Sequence, residues 1–190
     1  MKKHQPAATL VAGCALLVAF VGGCLPFALG DPSKSKVDSK LVGYWLNDGS
    51  DDRDLIAMYP FDEHTYVLQD QKLHQDDGKW TPRDPPQLYK AWLTEIKGHR
   101  LLCMEPLFQK VVRQDQNIYP AMLIEQAGAD FKARLVNSDF EPLKSVKNAT
   151  DELAIVTREI NNQQLYGDPT TFHRLDPERD KDAIAPVAKF

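Results

Sequence analysis

Two tight turns set the period of this chain. Lys97-Gly98 divides the run Leu88 to Ile96 from Arg100 to Glu105, and Ala127-Gly128 divides Ile118 to Gln126 from Asp130 to Val136. Glycine supplies the positive φ that such turns need, and short apolar segments between them read as hairpin strands. After the second turn, Phe131, Ala133 and Leu135 alternate with Lys132 and Arg134. That is the two-residue period of a strand with one buried and one wet face.

Earlier segments extend the pattern. Leu41 to Leu46 is a strand ended by the turn-rich Asn47-Asp48-Gly49-Ser50, and Leu55 to Phe61 and Thr65 to Gln69 form a hairpin around Asp62-Glu63-His64. The polar stretch Gln71 to Pro86 contains Pro82, Pro85 and Pro86, which excludes it as a central strand. Beyond Val136 the period changes. Asn148 or Thr150 caps a helix whose Leu153, Val156 and Ile160 share one face, Gly167-Asp168-Pro169 stops it, and Thr170 to Leu175 is the last strand. The expected fold is mainly β: a small antiparallel meander β-barrel of about eight strands with one amphipathic helix before the last strand, closed because closure removes exposed edges. It occupies residues 41–175, and the charged, proline-containing tail 176–190 is expected to be disordered.

Ahead of the barrel, Lys2 and Lys3 precede the uncharged run Leu10 to Cys24, the layout of an export signal. Val21-Gly22-Gly23-Cys24 resembles the lipobox of bacterial lipoproteins, in which a peptidase cuts before a cysteine already diacylated on sulfur. The resemblance implies a signal peptide over residues 1–23, a lipid on Cys24, and a location in the bacterial cell envelope, anchored to a membrane and facing the periplasm or exterior. Val11-Ala12-Gly13-Cys14 fits the box too but leaves too short an apolar core before it. Two other readings stay open. Leu10 to Leu29 is 20 residues without a charge, enough for an uncleaved membrane helix, and Ala28-Leu29-Gly30 has the form of an ordinary cleavage site that would release a soluble protein. Residues 24–40, which lose hydrophobicity and gain Pro, Ser and Lys, read as the lipidated cysteine and a flexible tether with a reach of roughly 20 to 25 Å. Lys34, Lys36 and Lys40 on that tether are candidates for contact with anionic head groups, set against simple solvation.

Gly43-Tyr44-Trp45 on the first strand resembles the Gly-x-Trp of lipocalins and related calycin barrels, and a helix before the final strand matches their chain order. The resemblance implies an arginine from the last strand packed over the tryptophan, a part that falls to Arg174. The Thr-Asp-Tyr signature and the disulfide of true lipocalins are absent, so the resemblance bears on architecture more than on activity.

Without residues 1–23 the chain carries 21 basic against 27 acidic side chains, and no Lys/Arg run exceeds the Lys2-Lys3 pair. A partner bound through phosphates needs a clustered positive field, which argues against nucleic acid. With Cys14 lost and Cys24 acylated, Cys103 is the one thiol left, and its apolar surroundings Leu101-Leu102-Cys103-Met104 read as core. His64, His74, His99 and His173 are scattered, with no pair at metal-ligand spacing. The acidic run Asp48, Asp51, Asp52 and Asp54 lacks the glycine and flanking helices of a calcium loop, and Asp76-Asp77-Gly78 reads as a turn. Asn148-Ala149-Thr150 is a glycosylation sequon, but helix capping accounts for it in a bacterial cell. No nucleophile elbow, Cys-x-x-Cys or phosphate loop occurs, so no catalytic residue, metal site or cofactor is expected. The aromatics Trp45, Tyr59, Phe61, Tyr66, Trp80, Tyr89 and Trp92 gather in the first half, as a filled barrel interior or as the lining of an apolar ligand site. Two functions follow: a non-enzymatic interaction or scaffold module of the envelope, or a carrier of a small lipophilic ligand, with an envelope protein or that ligand as partner beside the membrane.

Overall fold

The computed structural model describes residues 24–49, 52–108 and 119–187. Cys14, the remainder of the leader and Asp51 lie outside the described residues. The strands are β1 (Cys24–Leu25), β2 (Gly43–Asn47), β3 (Asp52–Pro60), β4 (Tyr66–Asp76), β5 (Lys79–Pro82), β6 (Gln87–Ile96), β7 (His99–Pro106), β8 (Tyr119–Ala127), β9 (Asp130–Leu135) and β10 (Thr170–Leu175). Helix α1 (Ala149–Glu159) lies between β9 and β10, and a single turn, α2 (Lys181–Ile184), follows β10.

Eight of these strands close on themselves. The antiparallel order β2-β3-β4-β6-β7-β8-β9-β10 ends with β10 paired back to β2, Phe172 opposite Asn47 and Arg174 opposite Trp45. The fold is therefore the expected eight-stranded meander barrel with a helix before its last strand. Its turns form where glycine permits. Lys97 and Gly98 have φ of +49° and +80° between the paired residues Ile96 and His99, the two positive φ values of a tight hairpin. Asp62 Oδ1 closes the β3–β4 turn by accepting from the backbone N–H groups of His64 and Thr65 at 2.8 and 2.7 Å.

Register decides what each face buries. Trp45 faces Ile56, Met58 faces Leu68, Tyr66 faces Ala91, Leu102 faces Met122 and Phe131 faces Phe172; all ten belong to one cluster, the barrel interior. The alternate residues Trp92, Leu101, Cys103, Ala121 and Leu123 face outward into a second core, beneath Val156 and Ile160 of α1. Val156 and Ile160, the latter at the C-terminal cap, are buried as expected; Leu153 packs half-buried against the same core, and Glu152 is buried beside them. Asn148 Oδ1 caps the helix by accepting from the Asp151 N–H at 2.9 Å.

Three expectations are corrected. Gln71 to Asp76 continue β4, pairing with β3 on one side and with the short β5 on the other; the prolines fall at the end of β5 and in the loop after it, where no ladder donor is needed. The segment read as a flexible tether is built into the fold. Leu25 and Leu29 are fully buried in the outer core, because an apolar side chain near the uncovered face of β6 to β8 gains more from burial than the chain loses in freedom. The tail after Asp176 is likewise placed through residue 187: Ile184 and Val187 cover Leu55, Ala57 and Leu73 on the outside of β3 and β4.

Candidate functional site

The barrel interior differs at its two ends. At one end the segment before β2 crosses beneath the strands and Leu41 plugs the interior. The Leu41 carbonyl accepts from Trp45 Nε1–H at 2.9 Å, and Trp45 meets Phe131 edge to face at 4.8 Å between centroids. Arg174 closes this end. Its guanidinium carbon lies 5.1 Å from the centre of the Trp45 ring, and Nη1 and Nη2 donate to the Lys40 and Val42 carbonyls at 2.9 and 2.7 Å. Gly43 makes room for it: its φ is +133°, and a Cβ there would stand 3.2 Å from Arg174 Nη2. Asp38 completes the closure, bonded to Arg100 Nη2 at 2.6 Å and giving its N–H to the Tyr66 hydroxyl at 2.6 Å. Burial opposes its charge, but hydrogen bonds from Lys40 N–H and Arg100 prevail and hold its carboxyl below the usual range.

The other end is charged. On β3 and β4 the inward positions run Met58, Ile56, Asp54 opposite Leu68, Asp70, Lys72, so the interior turns from apolar to ionic over two residues. Lys72 Nζ contacts Asp54 Oδ1 and lies 3.9 Å from Asp70 Oδ2. Asp54 also accepts from Asn47 Nδ2 at 2.8 Å. Asp70 is the exception in this group. Its Oδ1 has no exposed surface and accepts no hydrogen bond from any described residue. Burial pushes its pKa up to about 6, with Lys72 pulling against that and Asp54 adding to it. Gln87 stands opposite Asp70 on β6, and Tyr89, packed against the interior cluster, stands opposite Pro106 at the end of β7.

The sequence candidates are dispersed about this frame. Trp45 and Tyr66 are in the filled half of the interior, whereas Trp92 lies outside the barrel, its Nε1–H bonded to the Leu29 carbonyl at 2.9 Å, and Trp80 lies outside beneath the Arg53 guanidinium at 4.2 Å. Tyr59 gives its hydroxyl to Tyr44 on the outer surface, and Phe61 is exposed. His64 Nδ1 is 2.7 Å from the Ser35 carbonyl, His74 is 3.4 Å from Thr81, and His99 is 3.0 Å from Asn161. His173 bridges Asp48 at 2.7 Å and Asp130 at 3.0 Å. These two carboxylates, Asp48 first, raise its pKa. The acidic run therefore separates: Asp48 to His173, Asp52 to Arg83, Asp54 into the barrel. Asp77 and Gly78 form the β4–β5 turn, with φ of +46° and +78°. Lys34, Lys36 and Lys40 are exposed on the segment that leads to the plugged end. Cys103 is buried behind α1, where burial pushes its thiol up to about 12. Cys24 pairs through its backbone with Pro120.

Two carboxyls, half-buried Asp70 and fully buried Glu152, are not marked in the sequence. Asp70 lies one residue past the strand end expected at Gln69, and the alternation Tyr66, Leu68, Asp70, Lys72 carries on past that end and places it inside. Glu152 lies fully buried on α1, one Oε2 accepting from Phe27 N–H at 3.2 Å, and burial pushes its pKa up to about 7. No periodic signal marks it, since a charged residue on a helix reads as a solvated position. Comparison with protein-family models, with curated proteins and with solved structures finds no match.

Proposed function

We propose that this chain is an exported bacterial lipoprotein, acylated on Cys24, whose lipocalin-like barrel is a non-enzymatic interaction module of the cell envelope. The observation that carries this reading is the burial of Leu25 and Leu29 in the outer core. A cut after Gly30 would remove both, at a cost of about 2–5 kcal/mol for each side chain taken from a packed core. With Leu25 to Leu29 inside the fold, the apolar run left for a membrane helix is Leu10 to Gly23, 14 residues. At 1.5 Å per residue that reaches about 21 Å, short of a hydrocarbon core of about 30 Å. A cut before Cys24 keeps the whole packed segment. The calycin likeness is supported by the stack of Arg174 on Trp45 beside Gly43. The non-enzymatic reading is supported by histidines held in separate contacts and by a thiol buried away from the charged end. Replacing Cys24 with Ser in the native host tests the reading: uncut precursor without lipid label supports it, and continued lipid labelling defeats it.

A carrier is the second reading, and Asp70 favours it. A closed scaffold has no use for a buried carboxylate oxygen without a donor, whereas a ligand with a hydrogen-bond donor would satisfy it. Native mass spectrometry of the mature protein from its own cells should then show a bound small molecule that Asp70→Leu loses; empty wild-type protein returns the barrel to the scaffold role.

A further inference from the structure

We propose that the barrel is held directly on the bilayer, with the end that carries Leu107, Phe108 and Tyr119 resting on the lipid; this rests on the acylation of Cys24 proposed above. No slack separates Cys24 from the fold. Cys24 pairs with Pro120 and Leu25 with Tyr119, so the fold starts at the residue that takes the lipid. The chain stays fastened from there on. Phe27 N–H is held by Glu152 at 3.2 Å, and the Leu29 carbonyl accepts from Trp92 Nε1 at 2.9 Å and Thr94 Oγ1 at 3.2 Å. At Gly30 the backbone presses so closely on β6 that a Cβ would come within 2.2 Å of Thr94 Oγ1. A lipid on Cys24 therefore fixes both the height and the orientation of the barrel, because less than one residue, about 3.8 Å of chain, separates anchor from fold.

The surface beside the anchor suits that position. β1 lies on one side of the start of β8 and β7 on the other, which puts the end of β7 two strand spacings from Cys24, about 10 Å. There β7 runs into Leu107 and Phe108, 43% and 82% exposed. With Phe61 at the opposite end of the barrel, these are the large exposed apolar side chains among the described residues, so two of the three stand at the anchored end. Half-buried Tyr119 adds an amphipathic ring between them and Leu25. Aromatic and apolar side chains at this density are what an interfacial contact uses. Lys34, Lys36 and Lys40 are carried away from the anchor: after Leu29 the chain crosses β6 and reaches Glu63 and Tyr66 at the plugged end, where Val37 N–H bonds the Glu63 carbonyl. Head-group attraction through these lysines is thereby replaced by apolar contact at the other end. The charged end of the interior, with Asp70 opposite Gln87, then faces the membrane.

The test uses the mature acylated protein in vesicles of phosphatidylethanolamine and phosphatidylglycerol, with an environment-sensitive fluorophore on Phe108→Cys or, at the far end, Asp62→Cys. The buried Cys103 stays unlabelled. The label at 108 should show blue-shifted emission, quenching by nitroxide lipids and loss of iodide quenching, with the reverse at 62. A flexible Gly/Ser insertion between Cys24 and Leu25 should restore iodide quenching at 108. If the label at 108 is as open to iodide as the label at 62 while mass analysis shows lipid on Cys24, the orientation is wrong and the anchor stands. Absence of lipid on Cys24 removes both.

Discussion

The backbone N–H of Phe27 donates to Glu152 Oε2 at 3.2 Å, joining the residues that follow Cys24 to the helix that precedes the last barrel strand. The carboxyl is fully buried and its second oxygen has no partner among the described residues. Burial raises its pKa from 4.5 in the unfolded chain to about 7 in the fold. The folded state thus holds the proton more tightly, so this group's contribution is complete below pH 4.5 and is lost as pH rises through 7. Thermal or denaturant unfolding should show stability falling between about pH 4.5 and 7 by on the order of 3 kcal/mol. Glu152→Gln should flatten that slope. An unchanged slope in the variant would assign it to other groups.

Arg174 is expected to matter through geometry as well as charge. Arg174→Ala loses two hydrogen bonds to backbone carbonyls and uncovers Trp45, for a loss of about 1–2 kcal/mol given its partial exposure. Arg174→Lys should recover less than half, since an ammonium cannot both stack on indole and fork to two carbonyls. Gly43→Ala should also destabilise, because φ of +133° and the nearby Nη2 both oppose a Cβ. Equilibrium unfolding followed by Trp fluorescence measures all three.

Cys103 should be inert in the native protein. Its thiol is buried, held 3.6 Å from Thr94 Oγ1, and pushed up to about 12 by burial. A thiol reagent at pH 8 should modify it only at the rate of unfolding, and fast modification without denaturant would contradict the placement of α1 over β7.

Asp70 carries the opposite expectation from most core substitutions. Its pKa is raised from 3.8 to about 6, so its contribution too falls as pH rises through 6. Asp70→Asn should therefore be more stable than the wild type at pH 8, by about 1–3 kcal/mol, with the difference vanishing below pH 4. Paired unfolding curves at the two pH values decide it.

Most of the barrel was legible because Lys97-Gly98 and Ala127-Gly128 mark two of its hairpins and Phe131 to Leu135 alternates between buried and wet positions. The register that brings Arg174 beside Trp45 could be anticipated only through the Gly43-Tyr44-Trp45 likeness, since spacing alone does not say which strands meet. What the sequence hid was tertiary. Leu25 to Lys40 looks like a linker by composition, and its few apolar side chains acquire meaning only beside an outer face of β6 to β8 that needs covering. Asp70 and Glu152 were hidden for a related reason: local pattern assigns charge to solvent, and only closure of the barrel and docking of α1 place these two inside.

The fold begins at Cys24, the residue proposed to carry the lipid. Mass spectrometry of the mature protein extracted from the membranes of its own cells tests that assignment most directly. The expected product is a chain that begins at Cys24 with a diacylglyceryl thioether on its sulfur. A chain that begins at Asp31, or one that retains residues 1–23, would contradict it.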